Sequence, residues 1–258
     1  MLIFRIILLF LVLISTYSCA YFKVINAKKS ETQKLQGNLK YEFVDTMGSF
    51  VKLRQKGLDN EKNIIVKSKI FFEGKEDKPV EKLISISSKQ KLQKDLRLLQ
   101  PRKSEATYWF DGHKYKSTIV FDETRRQFLV QSRSTDKTWN KTYKFPLGKK
   151  IKAYCFFSQV VECAISSGFF LKSRLAKSGA MNMDIVWDGY PFFNEQYLKN
   201  KREIMSRGKL SYSGKEAAGI HKYSLNIDGQ MINYFIYEDK YLAKMFWVSQ
   251  GISQTLVE

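Results

Sequence analysis

The tightest constraint on this chain is a pair of turns set into alternating strands near its C-terminal end. Asp228-Gly229 sits between two runs of period-two alternation. A two-residue type I′ turn needs positive φ at both central positions, which is why Asp-Gly recurs there. Such a turn places Ile227 opposite Gln230, Leu225 opposite Ile232 and Tyr223 opposite Tyr234. Carrying the pattern through a second tight turn at Glu238-Asp239 sets Ile236 against Tyr241, Tyr234 against Ala243 and Ile232 against Met245. One side of this meander then bears Tyr223, Leu225, Ile227, Ile232, Tyr234, Ile236, Tyr241, Met245 and Trp247. The other side is mixed, with Lys222, Ser224, Asn226, Asn233 and Lys244 beside Phe235, Leu242 and Phe246. A slip of one residue would turn Lys222, Ser224 and Asn226 into the apolar face, so the register is firmly specified.

The same reading extends toward the N-terminus. Leu39–Val44, Phe50–Lys56, Asn63–Glu73, Val80–Ser87, Glu105–Phe110, Tyr115–Phe121, Gln127–Gln131 and Thr142–Phe145 alternate like strands. Asp111-Gly112 and Asp188-Gly189 read as further hairpin dipeptides. Between them, Ser88–Gln100 carries Leu92, Leu96 and Leu99 at helical spacing, with Ser88 as an N-cap and Pro101 as a stop, and is expected to be a helix. Roughly a dozen strands at such spacing, with one or two helical segments, predict a mainly β protein. The expected architecture is one large curved antiparallel sheet, an open or half barrel of meander hairpins. The apolar stretch from Cys155 to Ile165 is expected to plug its concave side.

The N-terminal residues carry an address. Arg5 precedes the unbroken apolar run Ile6–Ile14, which has the length of a signal-peptide core and falls short of the ~20 residues that span a membrane. Two cleavage sites compete. Ser18-Cys19-Ala20 suits ordinary signal peptidase, cutting after Ala20. Ile14-Ser15-Thr16-Tyr17-Ser18-Cys19 resembles a bacterial lipoprotein signal, in which cleavage precedes Cys19 and a diacylglycerol is attached to its sulfur. Thr16 and Tyr17 depart from the usual box, and Ser18 fits it. Ala20 after the cysteine resembles the outer-membrane sorting pattern. The expected organisation is a signal peptide at 1–18, a lysine-rich lipid-anchored tether at 19–38 and a single β domain at 39–258.

Cys155 and Cys163 remain as an even pair, which in an exported protein reads as a disulfide. The apolar spacing of Phe157, Val160, Val161 and Ala164 points instead to a helix. In one continuous helix eight residues rise about 12 Å, too far for a disulfide. The bridge is favoured, with a turn near Ser158-Gln159 or a helix that starts only after it.

The chain has 44 Lys and Arg against 25 Asp and Glu, a net charge of +19. For an exported protein this favours anionic lipid, lipopolysaccharide or an envelope protein as neighbour over nucleic acid. His113 and His221 lack the spacing of a metal site, and no G-x-S-x-G or phosphate loop marks a reaction centre. No cofactor, metal or catalytic residue is expected.

The segment Tyr154–Phe170, the run Met181–Tyr197 and the closing meander His221–Leu225 through Ala243–Trp247 together resemble bacterial envelope proteins of the domain-of-unknown-function 3108 type. These share their style with the lipoprotein carriers, whose curved antiparallel sheet wraps around helices. The resemblance implies architecture and location. Together with the lipoprotein-like leader, by which the chain departs from the soluble carriers, the expected protein is non-catalytic, lipid-anchored at the outer membrane and facing the periplasm, with an apolar concave face for an acyl chain, a lipoprotein segment or a partner. Candidate ligand-binding residues are Tyr223, Leu225, Ile232, Tyr234, Met245 and Trp247. The alternative is a secreted or anchored hydrolase of anionic envelope polymers.

Overall fold

A computed structural model of the chain describes residues 37–59, 61–93, 96–148, 154–198 and 203–257, which belong to one compact unit, Gln36–Glu258. Cys19, the leader 1–18 and most of the tether 19–38 lie outside the described residues.

The fold is mainly β, as expected. Its first half is a meander of β1 (Leu39–Asp45), β2 (Gly48–Leu58), β3 (Ile64–Phe71), β4 (Glu81–Gln93), β5 (Leu96–Phe110), β6 (His113–Asp122), β7 (Gln127–Ser134) and β8 (Lys141–Pro146). A short β9 (Tyr154–Phe156) leads into a 3-10 turn (Phe157–Gln159), helix α1 (Val160–Ser166) and helix α2 (Phe169–Ala176). The second half is β10 (Ala180–Val186), a π-helical turn (Asn194–Leu198), β11 (Met205–Ala217), β12 (Ile220–Ile227), β13 (Gln230–Tyr237), β14 (Tyr241–Trp247), a 3-10 turn (Val248–Gln250) and β15 (Ile252–Leu256).

All fifteen strands form one sheet, ordered β8 to β1, then β15 down to β9. The two meanders join where β1 pairs with β15, and every neighbouring pair is antiparallel except β9 with β10. The sheet is not closed by a ladder. At one edge Tyr154 of β9 packs against Phe121 and Phe128 and accepts a hydrogen bond at its hydroxyl from Gln100 Nε2 at 2.8 Å, so side chains tie β9 to β5, β6 and β7.

The helical segment 157–176 plugs the interior. Val160, Val161, Cys163 and Ala164 of α1 are buried in the main core, and Phe170 of α2 stacks on Tyr223 with ring centroids 4.4 Å apart. The bridge and the helix coexist because the helix begins at Val160. The turn at Phe157–Gln159 brings the Cys155 and Cys163 Cα atoms to 6.5 Å, and the disulfide forms. Removing it by Cys163→Ser should cost about 2–3 kcal/mol, read from the urea midpoint. An unchanged midpoint would show that the turn holds itself.

The turn at Asp228-Gly229 has φ of 49° and 82°, and the pairs Ile227–Gln230, Leu225–Ile232 and Tyr223–Tyr234 form as expected. Three expectations fail. At Glu238-Asp239 the loop takes in Lys240 as well, Tyr237 pairs with Tyr241, and a bulge follows at Phe235/Ile236. That shift sets Tyr234 against Met245 and Ile232 against Trp247, and points Leu242 inward in place of Tyr241. Residues 88–93 and 96–100 are not helical. They extend the β4–β5 hairpin, with Ser88 opposite Gln100 and Lys89 opposite Leu99. Three leucines at helical spacing were outweighed by the ladder that the two strands form with each other. Pro101 sits at a register shift beside Ser87, where a missing N–H is tolerated. Finally, Asp188-Gly189 is not a hairpin turn. Asp188 is buried, and Gly189 keeps an ordinary negative φ, without the left-handed backbone that type I′ requires.

Candidate functional site

A line of serines explains how the interior accepts a polar segment. Ser85 and Ser87 on β4, Ser104 on β5 and Ser117 on β6 are all fully buried. Being small, they let the backbone of residues 157–190 approach the sheet. Being hydroxyls, they satisfy it: Ser104 Oγ donates to the Asp188 carbonyl at 2.8 Å, and Ser117 Oγ donates to that of Tyr190. Ser87 Oγ donates to Gln159 Oε1, whose amide nitrogen donates to the Ser85 carbonyl at 2.9 Å.

Asp188 is the anchor of this arrangement. Its Oδ2 accepts from Ser85 Oγ at 2.7 Å, from the Ser158 hydroxyl and from the Ser158 backbone N–H at 3.3 Å. Burial raises its carboxyl above the ordinary aspartate range, and the hydrogen bonds from Ser158 and Ser85 limit that rise. Beside it, a Cβ on Gly189 would collide with the Tyr108 hydroxyl, so only glycine lets the loop lie against β5 here.

A second polar cluster links β2 to the plug. Arg54 Nη2 donates to Glu162 Oε2 at 2.8 Å and to the Ser158 carbonyl at 3.2 Å, and Lys56 Nζ lies 4.0 Å from Glu162 Oε1. Burial opposes the charge on Glu162, yet Arg54 and Lys56 hold its carboxyl below the usual range.

Between these clusters and the sheet lie two chambers. The inner one, about 100 Å³, is bordered by Lys52, Arg54, Glu81, Ser158 and Asp188 together with Tyr234, Met245 and Trp247. The outer one, about 230 Å³, is lined mainly by Met47, Phe50, Phe72, Phe110 and Trp109, with Asp45 on its wall. Phe43, Ile70, Glu81, Tyr108 and Tyr197 border both. Met47 is 58% and Phe72 44% exposed, so the outer chamber reaches the surface at an apolar rim.

Glu81 stands where the chambers meet, paired across the ladder with Tyr108. Burial raises its carboxyl from 4.5 to about 7, Lys52 opposes the rise, and Asp188 and Asp45 add to it. The residue is half-buried and borders both chambers. Burial lowers the Lys52 ammonium, partly offset by Glu81. Lys52 Nζ donates to Gln254 Oε1 at 3.1 Å and lies 5.4 Å above the Phe43 ring. Tyr197 donates to Asp45 Oδ2 at 2.9 Å, and burial keeps its phenol protonated far beyond neutrality.

The folded chain binds the Glu81 proton more tightly than the unfolded chain. Its stabilising contribution is therefore complete below about pH 4.5 and is lost as pH rises through about 7. Glu81→Gln should gain about 2–3 kcal/mol relative to wild type between pH 5 and pH 8 in paired urea titrations. Parallel pH profiles would contradict the enclosed carboxyl.

No protein-family model matches the chain, and no curated protein does. Among solved structures, the chain is similar to a β-barrel-like protein. That protein, of domain of unknown function 1849 from Brucella abortus, shares 7% identity with a TM-score of 0.46 over 86% of this chain and 95% of its own.

Of the six candidate ligand residues, Tyr234, Met245 and Trp247 border the inner chamber, while Tyr223, Leu225 and Ile232 are fully buried away from it. The charged residues of the cavity escaped the sequence reading. Lys52 and Glu81 stand either side of Ile70 in one row across β2, β3 and β4, and Asp188 reaches them from the loop after β10, so they meet only through strand register and chain return. The available signal was a charged residue at an inward position of an alternating strand, visible at Lys52 and Arg54.

Proposed function

We propose that this is a non-catalytic protein of the bacterial cell envelope that holds a small amphipathic ligand in the two-chambered cavity. The observation that carries the reading is the gradient along that cavity, from an apolar rim at Met47 and Phe72 to ionisable groups at Lys52, Glu81 and Asp188. A ligand would place its apolar body in the outer chamber and its polar group at Glu81. Pockets with mostly apolar walls and few convergent polar groups are what small-molecule sites look like. Exposed apolar side chains at the rim fit the same reading.

The Cys155–Cys163 disulfide supports an oxidising compartment outside the cytosol. With Arg5, the apolar run and Cys19, it favours a lipid-anchored protein, sorted to the outer membrane and facing the periplasm in the style of the 3108-type envelope proteins. The excess of lysine and arginine suits contact with anionic lipid or lipopolysaccharide.

Native mass spectrometry on the full-length protein, purified from its own membranes in mild detergent, tests this. The expected result is a mature chain beginning at an acylated Cys19, with a non-covalent small-molecule adduct released on activation. A ligand-free chain would refute the binding reading, and an unmodified or discarded Cys19 would refute the anchor.

A further inference from the structure

The cavity proposed above to bind an amphiphile carries an unbalanced charge, and that imbalance bears on what it binds. Its walls present two cations, Lys52 and Arg54, and three carboxylates, Asp45, Glu81 and Asp188. Glu162 is the counter-charge of Arg54 and also lies 4.0 Å from Lys56 Nζ, so over the whole group three cations face four carboxylates. One negative charge is left over.

The hydrogen bonds identify which carboxylate it is. Asp188 accepts from Ser85 and Ser158. Asp45 accepts from the Met47 N–H at 2.7 Å and from Tyr197 at 2.9 Å. At Glu81 burial and neighbouring charges set the carboxyl, and no hydrogen bond from a described residue is among the causes. The groups facing it are Lys52 from β2, Asp45 from β1, Tyr108 from β5, and Asp188 and Tyr197 from the segment after β10. Of these, Lys52 already donates to Gln254, Tyr197 already donates to Asp45, and the two aspartates repel. The Phe43 ring already carries Lys52 Nζ, while the rings of Tyr108 and Tyr197 border the same space. Aromatic faces beside a carboxylate receive an ammonium group by adding cation–π attraction to charge pairing.

We propose, resting on the cavity reading, that the ligand is a cationic amphiphile whose single ammonium group is received by Glu81 beside Tyr108 and Tyr197, with its apolar body in the outer chamber. An anion on Lys52 would meet Glu81, Asp45 and Asp188 at close quarters. A neutral alcohol would leave the extra negative charge uncompensated.

Three probes with the same six-carbon body separate the cases: hexylammonium, hexanol and hexanoate, titrated calorimetrically into the full mature chain. At pH 8 hexylammonium should bind at least about tenfold more tightly than hexanol, and hexanoate should bind most weakly. From pH 8 to pH 6 hexylammonium affinity should fall about tenfold as Glu81 takes up a proton, while hexanol affinity stays constant. Glu81→Gln should erase the preference and retain hexanol binding, which also shows that the variant is folded. Hexanoate binding as tightly as hexylammonium, or a preference that survives in Glu81→Gln, would overturn the charge assignment and leave the cavity reading standing. Binding of none of the three would overturn the cavity reading itself, and this inference with it.

Discussion

Glu162→Gln should destabilise the protein by about 3–5 kcal/mol at neutral pH, because it leaves the Arg54 guanidinium buried without its counter-charge. The side chains of Arg54 and Glu162 are 12% and 2% exposed, so water cannot replace what is lost. The glutamine is nearly isosteric and can still accept a hydrogen bond, so the loss measures charge and not volume. Breaking a buried pair in this way costs more than the intact pair contributes, since desolvation of both ions offsets much of their attraction. The double variant Arg54→Met with Glu162→Gln should therefore recover much of the loss. Urea unfolding of the three chains gives the numbers. A single variant within 1 kcal/mol of wild type would mean that solvent reaches the β2–α1 junction.

Trp247→Ala should cost a similar ~3–5 kcal/mol through a different mechanism, loss of a large buried side chain with incomplete collapse around it. Trp247 is fully buried and stacks on Trp187 with centroids 6.1 Å apart, touches Phe157 and Phe193, and donates from its indole N–H to Gln230 Oε1 at 3.0 Å. These contacts join β14 to the turn before α1 and to the loop after β10. Trp247→Phe should cost distinctly less, because it keeps the stack and gives up only the hydrogen bond and part of the volume. Equal losses for the two variants would assign the effect to the hydrogen bond. Trp247 also borders the inner chamber, so the alanine variant should enlarge it and admit a longer apolar probe.

Local chemistry was legible in the sequence, and distant convergence was not. Asp228-Gly229 fixed its register because every determinant lies within a few residues of the turn. Glu238-Asp239 misled by one residue. Lys240 joins the loop, and the bulge at Phe235 and Ile236 compensates for it. The leucines before Pro101 gave a helical period over a segment whose partner strand follows at once, and ladder hydrogen bonds decided the outcome. Asp188-Gly189 shows the limit most clearly. The dipeptide is a turn signal in isolation, but here its carboxylate is drawn into the interior by Ser85 and Ser158, which lie 103 and 30 residues away in sequence. The cysteines were readable because their spacing forbade a continuous helix and so demanded the turn that forms. The inward serines read as polar strand residues, because their value lies in the plug segment they face.

Glu81 is the residue on which the binding reading turns, a carboxyl at the junction of two chambers that receives a charge from outside the chain. Carboxyl-carbon NMR of glutamate-labelled protein, with Glu81→Gln to assign the signal, measures its titration directly. The account predicts a midpoint near 7 in the free protein, falling by at least one pH unit in saturating hexylammonium. A midpoint near 4.5, the ordinary glutamate value, unmoved by the amine, would contradict it.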